Sequence, residues 1–368
     1  MNIIILILIL LYSSYNLCTN GFQISPNRVV ISSKSKFSKF NSNNQLSTVA
    51  IDSTDSFLTN ESLIGKLKRN FNIVYKFSRP HTIKGTILAS FMGVVRALIE
   101  NPGSLSFQLL PKSLIGLLAL IFGNAYIVGI NQIYDVEIDK INKPFLPMAA
   151  SQLSSKKAWF LVISSLIGGG IIVKTQFSNI IFQLYLMGGF LGTIYSVPPF
   201  QFKRYPILAG SIIACVRGFL LNFGVYYAVR EALGVPFQWN PVVAFISSFM
   251  TIFAGIIAVT KDLPDVEGDV KYNIETFASK YGIKKIAQTA TFVLLTAYAI
   301  AASLPFTALI GAFKTLPMTG GHIFLATFLL YGYNNLNNEG YTTASVKKYY
   351  FTTIWNCFYM EYCLYPFI

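Results

Sequence analysis

The sequence has few ionisable residues, and this scarcity excludes an ordinary soluble domain. Only 12% of its 368 residues are charged, which is about half the share that a soluble globular domain carries. Hydrophobic residues make up 53% of the chain. The composition therefore predicts a membrane protein with several spanning segments.

The sequence also lacks the residue patterns of histidine- or cysteine-ligated metal sites, disulfide frameworks and nucleotide-binding loops. The two histidines, His81 and His322, are too few for a histidine-ligated metal centre, and the four cysteines lack the spacing of a zinc site or a disulfide framework. The sequence contains no Walker-type loop for a nucleotide. In a membrane protein, the net charge of +14 mainly reflects basic loops on one side of the membrane and contact with anionic lipid. Without a recognition motif it does not predict nucleic-acid binding.

The N-terminal region predicts a leader and a linker. Residues 1–21 contain an apolar run that is too short to cross a bilayer and is typical of a signal peptide. Residues 22–50 are rich in Ser and Asn and have basic but no acidic residues, so they resemble a transit peptide. Together they resemble the bipartite leader that directs proteins to plastids of secondary endosymbiotic origin. The alternative is a signal peptide followed by a disordered tail. Residues 51–72 predict a polar linker that ends in a short interfacial helix.

Residues 73–368 predict an all-α membrane bundle of about nine spanning helices. The predicted spans are residues 80–99, 113–135, 157–174, 179–195, 206–228, 241–261, 285–305, 319–336 and 346–366. The last two are rich in Tyr and Asn, and aromatic residues such as Tyr are also typical of the belts at membrane interfaces. With this count, one side carries thirteen basic residues and the other four, so the basic side is predicted to face the stroma if the membrane is that of a plastid.

Two acidic motifs follow the second and sixth predicted spans, both on the basic side. The polar residues of the two motifs are Asn131, Asp135 and Asp139 in the first, and Asp262, Asp265 and Asp269 in the second. Their spacing predicts that each set lies on one helical face, which in the second motif requires the helix to continue through Pro264. Ionisable groups at the end of a membrane helix are costly, so they indicate function.

The chemistry of these side chains suits a metal-bound diphosphate. Carboxylate and amide oxygens are ligands that Mg²⁺ prefers, and Mg²⁺ is commonly shared with substrate phosphates. Lys143, Lys203 and Arg204 on the same side would bind phosphate oxygens, although each of them alone could be a simple topology anchor. Arg217 lies within the fifth predicted span, where it either pairs structurally or faces a substrate.

The paired motifs NxxxDxxxD and DxxDxxxD resemble those of the UbiA superfamily of intramembrane aromatic prenyltransferases, over roughly residues 72–368. Phrases such as RPHTIKGT (79–86) and VRGFLLNFGVYYA (216–228) are similar to those of homogentisate solanesyltransferases. The chain departs from superfamily members with NDxxD, because Gln132 follows Asn131.

This resemblance implies an active site at one membrane face that transfers a polyprenyl group of solanesyl type from its diphosphate to homogentisate, with decarboxylation and with Mg²⁺ as cofactor. It implies that Asn131, Asp135, Asp262 and Asp265 hold Mg²⁺, with Asp139 and Asp269 close by. It also implies that Lys143, Lys203 and Arg204 bind diphosphate, and that Arg79 and Tyr195 are weaker candidates for the aromatic substrate or the diphosphate. Arg217 is a further weaker candidate because of its position within the fifth predicted span.

Two other functions stay open at this point. One is a homogentisate phytyl- or geranylgeranyltransferase, which would use a shorter donor at the same site. The other belongs to a different class, a membrane transporter that binds cations at its acidic residues. For the enzyme, the expected location is the inner envelope or a related membrane of a plastid, in contact with lipid and with the active site facing the stroma.

Overall fold

The structure is a computed structural model that describes residues 63–104, 109–272, 274–307 and 309–368, all of them in helices or in the turns between helices. The predicted signal-like and transit-like segments (1–21 and 22–50) and most of the predicted linker lie outside the described residues. The chain forms two units, residues 1–70 and Phe71–Ile368. Both acidic motifs lie in the second unit.

The described helices follow one another with short connections. In chain order, the first eight are α1 (Leu63–Phe77), α2 (Pro80–Glu100), α3 (Leu109–Tyr134), α4 (Val136–Asn142), α5 (Ser155–Gln176), α6 (Asn179–Ser196), α7 (Pro206–Ile213) and α8 (Leu221–Ala232). The others are α9 (Pro241–Thr260), α10 (Val266–Lys271), α11 (Phe277–Tyr281), α12 (Ile283–Ser303), α13 (Gly321–Asn338), α14 (Thr343–Lys348) and α15 (Trp355–Leu364). A π-helical segment, Ala214–Leu220, joins α7 to α8, and another, Tyr349–Ile354, joins α14 to α15.

Six helical stretches of the described chain are long and apolar enough to cross a membrane. They are Pro80–Glu100, Leu109–Tyr134, Ser155–Gln176, Pro206–Ala232, Pro241–Lys271 and Ile283–Phe306. The other three predicted spans also fall on helices, namely α6, α13 and the stretch from α14 to α15. The prediction of a polytopic helical membrane protein is therefore confirmed, and the count of nine spans stays a prediction.

Helix α9 buries one broad face in the bundle, which includes Ile246, Met250 and Phe253, and exposes the opposite face at Ala244, Ser248 and Ile252. It starts where the sequence predicts a helix start, with Pro241 in its first turn and the side chain of Asn240 accepting a hydrogen bond from the Val243 amide at 2.9 Å. The π segment before α8 packs directly on α9. A Cβ atom at Gly218 would lie 2.2 Å from Cα of Thr251, so only glycine allows these two backbones to approach so closely.

The aromatic residues near the C-terminus form part of the core of this bundle. Trp355, Phe358 and Tyr362 expose 2% or less of their surface, and Tyr349 exposes 1%. Their rings pack edge-to-face on one another; for example, the centroids of Phe358 and Tyr362 are 5.2 Å apart. These four side chains therefore belong to the core and not to an interface belt, whereas Tyr331 of the eighth predicted span is exposed, and its place in a belt stays a prediction. Composition suggested a belt because it cannot distinguish a tyrosine at the membrane surface from one packed among helices.

Candidate active site

Each acidic motif lies across a break between two helices. Helix α3 ends at Tyr134, and Asp135 connects it to α4. In the second motif α9 ends at Thr260, and a 3₁₀ turn over Leu263–Asp265 leads into α10. The prediction that each motif lies along one continuous helix face is therefore wrong. In the second motif Pro264 accounts for the break, since proline lacks the amide hydrogen and clashes with the preceding turn.

The two motifs meet at the short helices α4 and α10. Lys143, at the end of α4, donates a hydrogen bond to Asp265 of the second motif, and its Nζ lies 3.8 Å from Oδ1 of Asp139. Nδ2 of Asn142 donates to Oδ1 of Asp269 at 3.3 Å. Side chains that are more than 120 residues apart in sequence therefore line one site, at the same end of α3 and α9.

Gly268 allows this close approach. A Cβ atom at this position would lie 2.0 Å from Oδ1 and 2.6 Å from Cγ of Asn142. Any larger residue would have to displace the Asn142 side chain, which is the partner of Asp269. Residue 268 is thus part of the contact between the two motifs.

Two further carboxylates of the motifs also have a lysine partner. Lys203, in the loop after α6, donates to Asp135, and Lys261 donates to Asp262 at 2.6 Å. The neighbouring residue Arg204 is exposed to solvent. Of the two basic residues that the sequence predicts in this loop, the structure therefore brings Lys203 into contact with the acidic motifs and places Arg204 at the surface.

Arg79 contacts the first motif at Asn131. Its Nη2 donates to Oδ1 of Asn131 at 3.0 Å, and Nδ2 of Asn131 donates to Oδ2 of Asp135 at 2.8 Å. Arg79 has a left-handed backbone conformation (φ 53°) directly before Pro80, which is strained for a residue other than glycine. Gln132 supports this junction, because it is fully buried and its side-chain amide donates to the carbonyl of Phe77. An aspartate at position 132 could not donate this bond when ionised.

Tyr195 and Arg217 lie around the same site. Tyr195 is half-buried near the end of α6, within electrostatic reach of Lys261, Asp262 and Asp135. The guanidinium of Arg217 faces the ring of Trp355 instead, at 5.6 Å from the ring centroid. The structure therefore brings Tyr195 to the acidic motifs and gives Arg217 a neighbour from the C-terminal helix.

Burial shapes the electrostatics of the first motif. Asp139 exposes only 4% of its surface, and this burial raises the pKa of its carboxyl, although Lys143 and Arg79 oppose the shift. Burial also lowers the pKa of Lys143, but the carboxylates of Asp265 and Asp139 raise it more, and the net shift is upward. Lys143 therefore stays a cation between two acids at neutral pH.

The donor set suits a magnesium ion that is shared with a substrate. Within the described ranges, no three acidic, histidine or cysteine side chains lie close enough to bind one ion by themselves. Mg²⁺ usually keeps several waters and takes only one or two carboxylates together with phosphate oxygens, so a complete cage of protein ligands is unnecessary. Oδ2 of Asp139 is buried and has no hydrogen-bond partner, which leaves an anionic oxygen that a cation or a water bound to it would satisfy.

Some residues of the site escaped prediction from the sequence. Asn142 and Gly268 join the motifs, and Gln132 supports Arg79. Their only signal in the sequence was their position within or beside the two motifs. The role of each depends on a contact that the spacing along one helix does not contain.

Comparison with known proteins identifies the family. The profile of the UbiA prenyltransferase family matches residues 87–356. The chain belongs to this family. It is 52% identical over 294 residues, 80% of this chain and 77% of the relative, to a protein of Oryza sativa subsp. japonica named probable homogentisate phytyltransferase 2, chloroplastic. It is 49% identical over 333 residues, 90% of this chain and 86% of the relative, to homogentisate solanesyltransferase, chloroplastic, of Arabidopsis thaliana.

A solved structure has the same fold. The UbiA homolog from Archaeoglobus fulgidus bound to GPP and Mg²⁺ superposes with a TM-score of 0.54 at 18% identity, and the match covers 77% of this chain and 99% of that one. At this identity the likeness concerns the fold alone. Family and fold together make this protein an intramembrane prenyltransferase of the UbiA family.

Proposed function

We propose that this prenyltransferase moves a polyprenyl group of solanesyl type from its diphosphate to homogentisate, with loss of carbon dioxide. The observation that carries the proposal is the joined pair of acidic motifs, in which Lys143 and Asn142 of the first contact Asp265 and Asp269 of the second. Both relatives described above have names that specify homogentisate as the acceptor. The longer of the two alignments is with the solanesyltransferase.

The charges of the site suit the binding of a metal and a diphosphate together. Lys143, Lys203 and Lys261 are each paired with a motif carboxylate. A bound diphosphate would offer its oxygens to these lysines, with Arg79 as a further cationic partner. The carboxylates that lose their lysines would then be available as ligands for a cation.

The residues that would hold Mg²⁺ are Asn131, Asp135, Asp262 and Asp265, with Asp139 and Asp269 beside them. When bound, the ion neutralises the negative charge that develops on the leaving diphosphate. The lysines bind and orient the diphosphate, and the apolar helices keep water away from the allylic cation.

The atoms of the proposed reaction balance. The bond between the prenyl carbon and the diphosphate oxygen breaks, and the diphosphate leaves with the electron pair. A ring carbon of homogentisate forms a bond to the prenyl carbon and loses its proton, and the side-chain methylene gains a proton as carbon dioxide leaves. The product is a 2-methyl-6-polyprenyl-1,4-benzoquinol, the type of quinol from which plastoquinone is made.

The experiment is product analysis with the purified protein in lipid. It contains homogentisate, Mg²⁺ and, in separate reactions, geranylgeranyl, phytyl and solanesyl diphosphate. The expected product is a decarboxylated solanesyl quinol whose formation stops when Asp135→Ala replaces the native residue. Glu137→Ala is the matched control, because Glu137 lies two residues away but is exposed and paired with Lys140 at the surface. Absence of product with every donor, in folded protein, would refute the proposal.

The second candidate function is transfer of a phytyl or geranylgeranyl group to the same acceptor. It is favoured by the name of the rice relative, which specifies a phytyl donor. The donor panel separates the two candidates, since turnover with the shorter donors alone would establish the second.

The proposed location is a plastid membrane, with the site facing the stroma. The support is that both relatives are named chloroplastic and that the basic residues concentrate on the side of the acidic motifs. Protease protection of an epitope in the loop after α6, in isolated plastids, tests the orientation.

A further inference from the structure

Arg217 is a half-buried cation that lacks an anionic partner among the described residues. It lies in the π segment Ala214–Leu220, and its Nη1 is buried without a hydrogen-bond partner. No acidic side chain in the described part of the chain forms an ion pair with it. A guanidinium presents five donors, and a buried donor without a partner costs free energy that a bound acceptor would recover. The local structure therefore favours an anion from outside the protein.

The surroundings of Arg217 are aromatic. The guanidinium carbon lies 5.6 Å from the ring centroid of Trp355, which is itself almost fully buried. The rings of His81 and Tyr350 pack on Trp355, with centroids at 4.9 Å and 6.4 Å. Trp355 is covered by these neighbours, whereas His81 and Phe351, with ring centroids 5.8 Å apart, are only partly buried and can offer ring contacts to a flat ligand.

This position is connected to the first motif by α2, because a Cβ atom at Gly85 would lie 3.5 Å from Nη1 of Arg217, and Arg79, directly before α2, donates to Asn131. Tyr350 lies within electrostatic reach of Arg217 and also of Lys143, Lys261 and Asp265. His81 lies within reach of Arg79, Arg217 and Lys143. A ligand beside Arg217 and His81 would therefore lie next to the place where the allylic cation is generated.

A diphosphate is a poor match for Arg217. Four other cationic side chains, Lys143, Lys203, Lys261 and Arg79, already contact the acidic motifs. The ligand that matches one half-buried guanidinium among aromatic rings is a flat molecule with a single carboxylate, which can accept two parallel hydrogen bonds.

We propose that Arg217 binds the carboxylate of the aromatic acceptor, whose ring lies beside His81 and Phe351, and that this contact selects an aromatic acid over a neutral quinol. The inference rests on the proposed function and extends it, because it names the residue that recognises the acceptor. A site with a buried polar group rejects a ligand that leaves this group unpaired.

The test compares the native protein with Arg217→Gln on two acceptors, homogentisate and methylhydroquinone, which is homogentisate without its carboxylate. The preference of the native protein for homogentisate, as a ratio of kcat/KM values, should fall by about 100-fold in Arg217→Gln. The KM for the prenyl diphosphate should change by less than about threefold. Arg217→Lys should restore part of the preference, since lysine keeps the charge but not the two parallel donors.

Arg230→Gln is the matched control. Arg230 is a buried arginine of α8 that also faces a ring, that of Tyr226, at 5.9 Å, but its guanidinium donates to the carbonyl of Pro236. Its loss should lower the rates on both acceptors equally, as a purely structural role predicts. An equal loss on both acceptors in Arg217→Gln would overturn the inference.

A binding measurement separates failure of this inference from failure of the proposed function. Equilibrium dialysis with radiolabelled homogentisate, without a prenyl donor, needs no turnover. If the native protein prenylates no homogentisate, the proposed function fails, and the same dialysis with labelled 4-hydroxybenzoate and homogentisate still tests the inference. Binding of either acid that is lost in Arg217→Gln supports it, and the absence of binding that depends on Arg217 refutes it.

Discussion

Replacing Gly268 with alanine should impair catalysis while the bundle stays folded. The new Cβ atom would lie 2.0 Å from Oδ1 of Asn142, which is 1.4 Å closer than the 3.4 Å at which ordinary van der Waals contact begins. The Asn142 side chain must leave, and its hydrogen bond to Asp269 breaks. A bond to a charged group contributes about 1.5–3 kcal/mol. A displacement of about 1 Å between the two motifs can cost about 100-fold in rate.

The assay is the rate of prenyl transfer to homogentisate at saturating Mg²⁺, together with the melting temperature of the protein in detergent. We expect Gly268→Ala to lower kcat/KM by about 100-fold with little loss of thermal stability. Gly188→Ala is the control, since a Cβ atom there has no neighbour within 4 Å. Asn142→Ala alone should show the loss of the hydrogen bond without the clash.

The double variant Asn142→Ala/Gly268→Ala decides the cause. If the clash with the Asn142 side chain is responsible, the double variant should be no worse than Asn142→Ala alone, because the atoms that clash are gone. Losses that multiply, as they do for independent sites, would refute the reasoning. Native activity in Gly268→Ala would refute it as well.

Three further predictions concern the site and the bundle. Lys203→Ala should lower kcat/KM for the prenyl diphosphate by at least about 10-fold, because Lys203 contacts a motif carboxylate. Arg204→Ala should change kcat/KM by less than about threefold, because Arg204 makes no such contact. Equal effects of the two substitutions would contradict the assignment. Gly218→Ala should destabilise the fold by about 3 kcal/mol, because its Cβ atom would lie 2.2 Å from the backbone of α9. Gly210→Ala is the control, since a Cβ atom there has open space around it. Thermal unfolding in detergent compares the stabilities of the two variants. Chelation with EDTA should abolish prenyl transfer, and added Mg²⁺ should restore it; turnover that persists in EDTA would contradict a metal requirement.

The fold class and the family were accessible from the sequence because they depend on local patterns. Long runs without charge predict membrane helices wherever they occur, and the helices α2, α3, α5, α9 and α12 fall where such runs lie. The spacing of Asn131, Asp135 and Asp139 was equally readable. The mistake was to place each motif on one continuous helix, because nothing in the residues before Asp135 announces the end of α3.

Contacts between distant segments were outside the reach of the sequence. Lys203 and Arg204 are neighbours with the same charge, and only the path of the loop decides which of them reaches Asp135. The ring beside Arg217 comes from Trp355, well over 100 residues further along the chain.

The sequence by itself determined that this is a helical membrane protein with two acidic motifs of the UbiA type, because hydropathy and motif spacing are properties of single segments. Only the tertiary structure decided how the motifs join. Gly268 and Asn142 bring α4 and α10 together, and Lys143 of the first motif finds Asp265 of the second across that contact. The physical reason is that packing and charge pairing act between surfaces that the chain brings together only when it folds.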